Sequence, residues 1–340
     1  MGKMRFADWV RGARLKTLPL SVAPVISGAA VASVSGAPYD PLFLAVMLLC
    51  MGVALFLQIA ANFANDYSDG LRGTDAGRDA RHADDIAGYR ATGTATADAA
   101  AAADVADAAV QNGGMRAAGF QQGAPTRLVA SGVNPRRVLF AAGVNAAIAC
   151  VCGLAVCALT GYWWFIAVGV ASLLAGWCYV GGSHPYGYHC LGEVFVFVFF
   201  GLVATCGTMF ALSGRITVGG LCAGCANGLV AVAVLSVNNL RDIESDRVHG
   251  KHTWMTVFGR AWGTVFTDGL LVVASILAIA QVAGWLVSIP VITVVCVFMC
   301  VVQIAACDAI GRADYRHALP LCTLGSLSVS LVFAAAAFLV

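Results

Sequence analysis

Charge is scarce in this chain. Only 11% of its 340 residues are Asp, Glu, Lys or Arg, 60% are hydrophobic, and the mean hydropathy is +0.82. A soluble domain needs far more polar surface than this. Composition therefore points to an integral membrane protein with lipid around it, and offers no basic surface suited to nucleic acid. A cysteine framework is lacking too. The 13 cysteines are scattered, mostly inside apolar spans (Cys50, Cys150, Cys152, Cys157 and Cys300), and read as small, reduced packing residues. The C-x-x-C formed by Cys222 and Cys225 lies in an apolar segment without a thioredoxin-like context. No cleavage site follows the first apolar run, which comes after Arg11, Arg14 and Lys16, so that run is expected to stay as a span.

What is present is a series of long apolar runs. Nine candidate spans fall near 18–36, 42–65, 137–159, 162–181, 191–213, 216–238, 263–284, 287–307 and 318–340. Together they predict an all-α membrane bundle, a single domain over residues 1–340. Placing the N-terminus in the cytoplasm puts nineteen of the twenty Lys and Arg residues on the inner side, with Arg215 alone outside. The loop from Asp75 to Arg127 has a middle, 91–110, that is almost entirely Ala, Thr, Asp and Gly. With no apolar stripe to bury, it is expected to be a cytoplasmic excursion.

Two acid-rich stretches end apolar spans, and both fall on the inner side. In the first, Gln58, Asn62, Asp66 and Asp69 follow at spacings of four, four and three, with Asn65 beside them and Arg72 and Asp75 just beyond. That spacing stacks a polar stripe on one helix face. Such groups are costly in lipid and should face a protein interior or a wet cavity. In the second stretch, Asn238-Asn239-Leu240-Arg241-Asp242-Ile243-Glu244-Ser245-Asp246-Arg247, residues Asn238, Asp242 and Asp246 share a face.

Paired carboxylates are hard oxygen ligands that suit Mg²⁺, which keeps waters and takes one or two carboxylates plus substrate phosphates. Two facing acid clusters attract a diphosphate only when divalent metal neutralises both. Arg72, Arg127, Arg241 and Lys251 supply further positive charge. In an apolar bundle the substrate implied is an isoprenyl diphosphate, its head on the metal and its chain along helix faces. Loss of diphosphate leaves an allylic cation that an electron-rich ring can attack, protected by apolar walls. Between the fourth and fifth spans lies Tyr179-Val180-Gly181-Gly182-Ser183-His184-Pro185-Tyr186-Gly187-Tyr188, read by default as a reverse turn with interfacial tyrosines.

The N-D-Y-S-D…R-G-T-D run, the N-N-L-R-D-I-E-S-D run and the nine spans resemble the UbiA superfamily of membrane prenyltransferases. The stretch Y-V-G-G-S-H-P-Y-G-Y-H-C-L-G-E, with R-L-K-T-L-P and R-L-V-A-S-G, is similar to the 1,4-dihydroxy-2-naphthoate polyprenyltransferase branch. The resemblance covers the chain except about 76–122, an insertion the family usually lacks. It implies transfer of a polyprenyl group from its diphosphate to 1,4-dihydroxy-2-naphthoate, with loss of diphosphate and carbon dioxide, giving demethylmenaquinone at a cell membrane with the active site facing the cytoplasm. It also implies that Asp66, Asp69, Asp242 and Asp246 hold Mg²⁺ and carry catalysis. Asn62, Asn65, Arg72, Asp75, Arg127, Asn239, Lys251 and Tyr186 would contact substrate. Ser183 stands where some members carry a lysine, with His184 beside it as a substitute.

Another acceptor, such as 4-hydroxybenzoate or homogentisate, keeps the same chemistry. A transporter would need acids deep in the spans, where only Asp268 and Glu193 intrude. A quinone-binding scaffold would need no paired carboxylates, and the D-G-x-x-A-R cluster of lipid-head phosphotransferases is absent. If 76–122 is only an excursion, deleting 85–120 is expected to leave prenyl transfer near normal. A folded but inactive deletion protein would refute that.

Overall fold

The computed structural model describes residues 6–72, 127–129, 131–182, 185–285 and 289–340, with Arg72 and Ile289 described by backbone only. Among the described residues there is no β-strand, and a single bridge joins His189 to His252. The helices are α1 (Phe6–Ala13), α2 (Pro19–Val34), α3 (Pro41–Arg72), α4 (Pro135–Thr160), α5 (Phe165–Val180), α6 (Gly192–Ser213), α7 (Val218–Val248), α8 (Trp254–Phe258), α9 (Arg260–Ala283), α10 (Ile289–Gly311) and α11 (Tyr315–Leu339).

Each of the nine expected spans coincides with a helix, but not all are long enough to cross. Among the described residues, seven helices (α3, α4, α6, α7, α9, α10 and α11) have the length and apolar character to span a bilayer. An eighth span results if α1 and α2, bent by 52° to each other, count as one. The bend has a local cause: Arg14 sits in the left-handed region at φ 52°, and Pro19, which has no N–H to donate, opens α2. Helix α5 has only 16 residues, fewer than the ~20 a straight crossing takes.

Helix ends follow their sequence signals. The Asp40 carboxylate accepts the Phe43 N–H at 2.7 Å, and the Asn134 side chain accepts the Arg136 N–H at 2.9 Å, ahead of Pro135. Helices α3 and α7, of 32 and 31 residues, rise to roughly 45–48 Å, well beyond a ~30 Å hydrocarbon layer. Their last turns carry the acids, so those turns stand clear of the apolar slab.

The core forms around α7 and α11, whose most apolar windows are 61% buried, against 11% for α3. Lipid tails are as apolar as leucine, so helices in a membrane associate through close packing and a few hydrogen bonds. Asn227 Nδ2 donates to Ser27 Oγ at 2.9 Å, and Ser330 Oγ donates to the Ala23 carbonyl at 2.7 Å. Gly201 lies in the π-helical turn Phe197–Val203 of α6 and lets that turn touch α7 backbone to backbone. A Cβ there would lie 2.5 Å from Gly228 Cα and 2.6 Å from the Gly224 carbonyl oxygen.

Gly201→Ala is therefore expected to destabilise the protein by about 1–3 kcal/mol, because backbone cannot swing aside. Gly207→Ala, on the same helix and with open space around it, is expected to be neutral or slightly stabilising. Unfolding midpoints of the two variants in detergent check the pair.

Candidate active site

The first acid stretch sits at the end of α3. Asn62 Nδ2 donates to the Ala13 carbonyl at 2.9 Å, and Gln58 Nε2 donates to Asn62 Oδ1 at 3.5 Å. These two residues tie α3 to the N-terminal segment. One turn further on, Asp66 is 2% exposed. A carboxylate buried that deeply needs cations and donors. It receives Arg14, Arg127 through Nη1 at 2.8 Å, and the Leu128 N–H at 3.4 Å. Arg127 also reaches Asp69 at 3.5 Å. The Asn65 side-chain oxygen is buried beside them without a hydrogen-bond partner.

The second stretch closes α7. Arg241 grips Asp242 with Nε and Nη2, both at 2.9 Å. Beyond Val248 the helix is stopped by Gly250 at φ 66°. There the Lys251 N–H bonds the Asp246 carbonyl at 2.8 Å and the Gly250 N–H bonds the Arg247 carbonyl at 3.2 Å. This Schellman turn doubles the chain back and delivers Lys251 Nζ to the Asp246 carboxylate at 3.0 Å. Burial opposes the charge on Lys251, but Asp246 outweighs it and holds the ammonium above its ordinary range. Asn239, on the same helix, donates to Glu193 at 3.2 Å.

The two stretches meet through the turn between α5 and α6. Tyr188 donates its hydroxyl to Asp69 at 3.3 Å, while Lys251 Nζ lies 5.9 Å from the centre of its ring. Half-buried Tyr179 sits in the combined field of Lys251, Glu193, Asp69 and Asp246. Hydrogen bonds zip this turn to the segment after α7. The His252 N–H reaches the Tyr188 carbonyl at 3.1 Å, the Cys190 N–H reaches the His252 carbonyl at 3.0 Å, and Trp254 Nε1 reaches the Cys190 carbonyl at 2.9 Å.

The turn's two tyrosines differ from the interfacial pair the sequence suggests. Tyr186 points back along α5, its hydroxyl donating to the Ala175 carbonyl at 2.7 Å and its ring stacked on Phe195 at 4.0 Å. Tyr188 is the one that meets the acids. Arg14 is a further site residue, counted in the sequence only as inner-side charge; its signal is the R-L-K-T-L-P run. Asp75, Ser183 and His184 lie outside the described residues, as does the side chain of Arg72.

Among the described residues no three His, Cys, Asp or Glu side chains gather into a metal cage. That is compatible with Mg²⁺, which leaves most of its coordination to waters and substrate phosphates. The hard oxygens of Asp66, Asp69, Asp242 and Asp246, with the orphaned Asn65 oxygen, fit such an ion once a diphosphate shares it.

The model of the UbiA prenyltransferase family matches residues 119–339. The chain belongs to that family. A 1,4-dihydroxy-2-naphthoate octaprenyltransferase of Mycobacterium tuberculosis is 38% identical over 80% of this chain and 77% of its own length. The enzyme of the same name from Mycobacterium leprae is 37% identical over 81% and 77%. Among solved structures, a UbiA homolog from Archaeoglobus fulgidus bound to GPP and Mg²⁺ superposes with a TM-score of 0.59, covering 97% of this chain and 98% of its own, at 12% identity. The protein is thus a multi-pass membrane protein with the UbiA fold.

Lys251→Gln is expected to cost about 3 kcal/mol, because it leaves Asp246 buried without its cation. The folded pKa of Lys251 lies above the free value of 10.5, so the pair's contribution is fully present below that pH and is lost as pH rises through the folded value. The stability gap between wild type and variant should therefore stay level from about pH 6 to about pH 9. A gap that closes within that window would show that the pair is not what holds Asp246.

Proposed function

We propose that the protein transfers a polyprenyl group from polyprenyl diphosphate to 1,4-dihydroxy-2-naphthoate, the prenylation step of menaquinone biosynthesis. The bond between the prenyl carbon and diphosphate breaks, a carbon–carbon bond forms to the naphthoate ring, and carbon dioxide leaves. The product is demethylmenaquinol, the reduced form of demethylmenaquinone. The observation that carries this reading is the meeting of two acid clusters, far apart in sequence, through Tyr188 and Lys251 at one end of an apolar bundle. The shared name of the mycobacterial relatives supports naphthoate over 4-hydroxybenzoate or homogentisate as acceptor.

Asp66, Asp69, Asp242 and Asp246 would hold Mg²⁺, and the GPP and Mg²⁺ bound to the Archaeoglobus homolog support the same pairing here. The chemistry supplied by such an ion would be neutralisation of the diphosphate charge, which would make diphosphate a better leaving group. Arg14 and Arg127, already converged on Asp66, would turn their remaining donors toward phosphate oxygens. Tyr179, Tyr186, Phe195 and Phe199 form a ladder of rings from the acid end down α6. Those rings would exclude water from the allylic cation and offer it π-faces. In this reading residues 1–340 work as one domain, with 76–122 inserted, in the cell membrane with the acid end toward the cytoplasm.

Purified protein with Mg²⁺, a polyprenyl diphosphate and 1,4-dihydroxy-2-naphthoate is expected to release diphosphate and form a prenylated quinol. Asp66→Asn and Asp242→Asn are each expected to lower turnover per folded molecule by about a hundredfold or more. Chelating the metal should abolish turnover. Equal or faster reaction with 4-hydroxybenzoate would reassign the acceptor, and an active double variant would remove the metal site.

A further inference from the structure

Metal and phosphate chemistry do not by themselves explain why two acid clusters on separate helices should keep a fixed spacing. Each cluster carries its own cations: Arg14 and Arg127 at the first, Arg241 and Lys251 at the second. These pairs hold each cluster to its own helix end and do not link one cluster to the other. Among the described residues, the Tyr188 side chain touches both. The Tyr188 hydroxyl donates to Asp69 at 3.3 Å, and the face of its ring lies under Lys251, 5.9 Å from Nζ, while Lys251 holds Asp246 at 3.0 Å.

The backbone around Tyr188 is pinned from two directions. Its N–H donates to the Pro185 carbonyl at 3.0 Å, within its own turn, and its carbonyl accepts the His252 N–H at 3.1 Å, one residue after Lys251. Gly187 is part of the device. A Cβ there would lie 2.6 Å from the Tyr179 carbonyl oxygen, so only glycine lets the turn press against the end of α5. A tyrosine held at both ends of its side chain and on both sides of its backbone behaves as a spacer rather than as a surface ring.

We propose that Tyr188 is the positioning residue that sets the separation of the two acid clusters, and that this separation selects a diphosphate over a monophosphate. The inference rests on the diphosphate reading above. A diphosphate carries its charge on two linked phosphates and can be neutralised from both clusters at once, whereas a single phosphate engages one cluster or the other. The hydroxyl-to-Asp69 bond is charge-assisted, and the ring contact with Lys251 is a cation–π contact. Neither group needs to touch the reacting carbon.

The test is calorimetric titration of the detergent-purified full chain with inorganic diphosphate, and separately with inorganic phosphate, each with Mg²⁺. Y188F keeps the ring under Lys251 and removes the bond to Asp69. It is expected to weaken diphosphate binding by about tenfold and to leave phosphate binding unchanged. In a double-mutant cycle with Asp69→Ala, the Tyr188 effect is expected to disappear. Steady-state kinetics guard against a folding artefact. Loss of folded molecules lowers kcat at constant KM, whereas the positioning role raises KM for the prenyl diphosphate about tenfold with kcat within about threefold. Equal diphosphate affinity in Y188F, an equal loss for both anions, or additive effects in the cycle would each overturn the role of Tyr188. Wild-type protein that binds no Mg²⁺-diphosphate would overturn the diphosphate reading itself, and the inference with it.

Discussion

A carboxylate buried at the end of an apolar helix imposes most of what surrounds it. Asp66 cannot stay charged in that position unless cations come to it, and the cations come from far along the chain, 52 residues before it and 61 after. Meeting that demand folds the N-terminal segment back over α3 and brings the segment at Arg127–Val129 onto the same helix end. The apolar packing there follows the same geometry. Gly12 lies so close to Phe63 and Leu128 that a Cβ would sit 2.2 Å and 2.8 Å from them, and Val129 fills the space beside Gly70. The second cluster solves the same problem locally, through a glycine-stopped helix that returns Lys251 to Asp246.

This arrangement divides the molecule by solvent. The apolar length of α3 serves the lipid and that of α7 packs into the core, while the overhanging ends of both gather ions. A substrate with a charged head and a hydrocarbon tail meets both environments without leaving the bilayer. The core around α7 and α11 is sealed by glycines and by hydrogen bonds such as Asn227 to Ser27. The acid end is held by ion pairs and by two zipped turns. Packing thus fixes the helices, and electrostatics fix the site.

Much of this was legible in the residues. Long apolar runs located the helices because each must satisfy its backbone internally. The spacing of Asp66 and Asp69, and of Asp242 and Asp246, marked two helix ends that meet through Tyr188 and Lys251. The orientation of the turn between α5 and α6 was not legible. Tyr186 and Tyr188 are chemically identical and two residues apart, and only the 3₁₀ turn Tyr186–Tyr188 sends one toward Ala175 and the other toward Asp69. Arg14 was hidden for a related reason. Its reach depends on a left-handed backbone at a non-glycine residue, which no periodicity announces. Nor does a hydropathy window distinguish a 16-residue helix flanked by Trp163, Trp164 and a glycine pair from a longer span.

That short helix bears on the bilayer itself. Helix α5 begins just after Tyr162, whose ring meets Phe210 at 5.0 Å, and its last turn carries Tyr179, so it rises only about 24 Å between the two. The surrounding hydrocarbon is about 30 Å thick. A helix that short crosses such a layer only where the bilayer thins locally or the turns that flank the helix enter it.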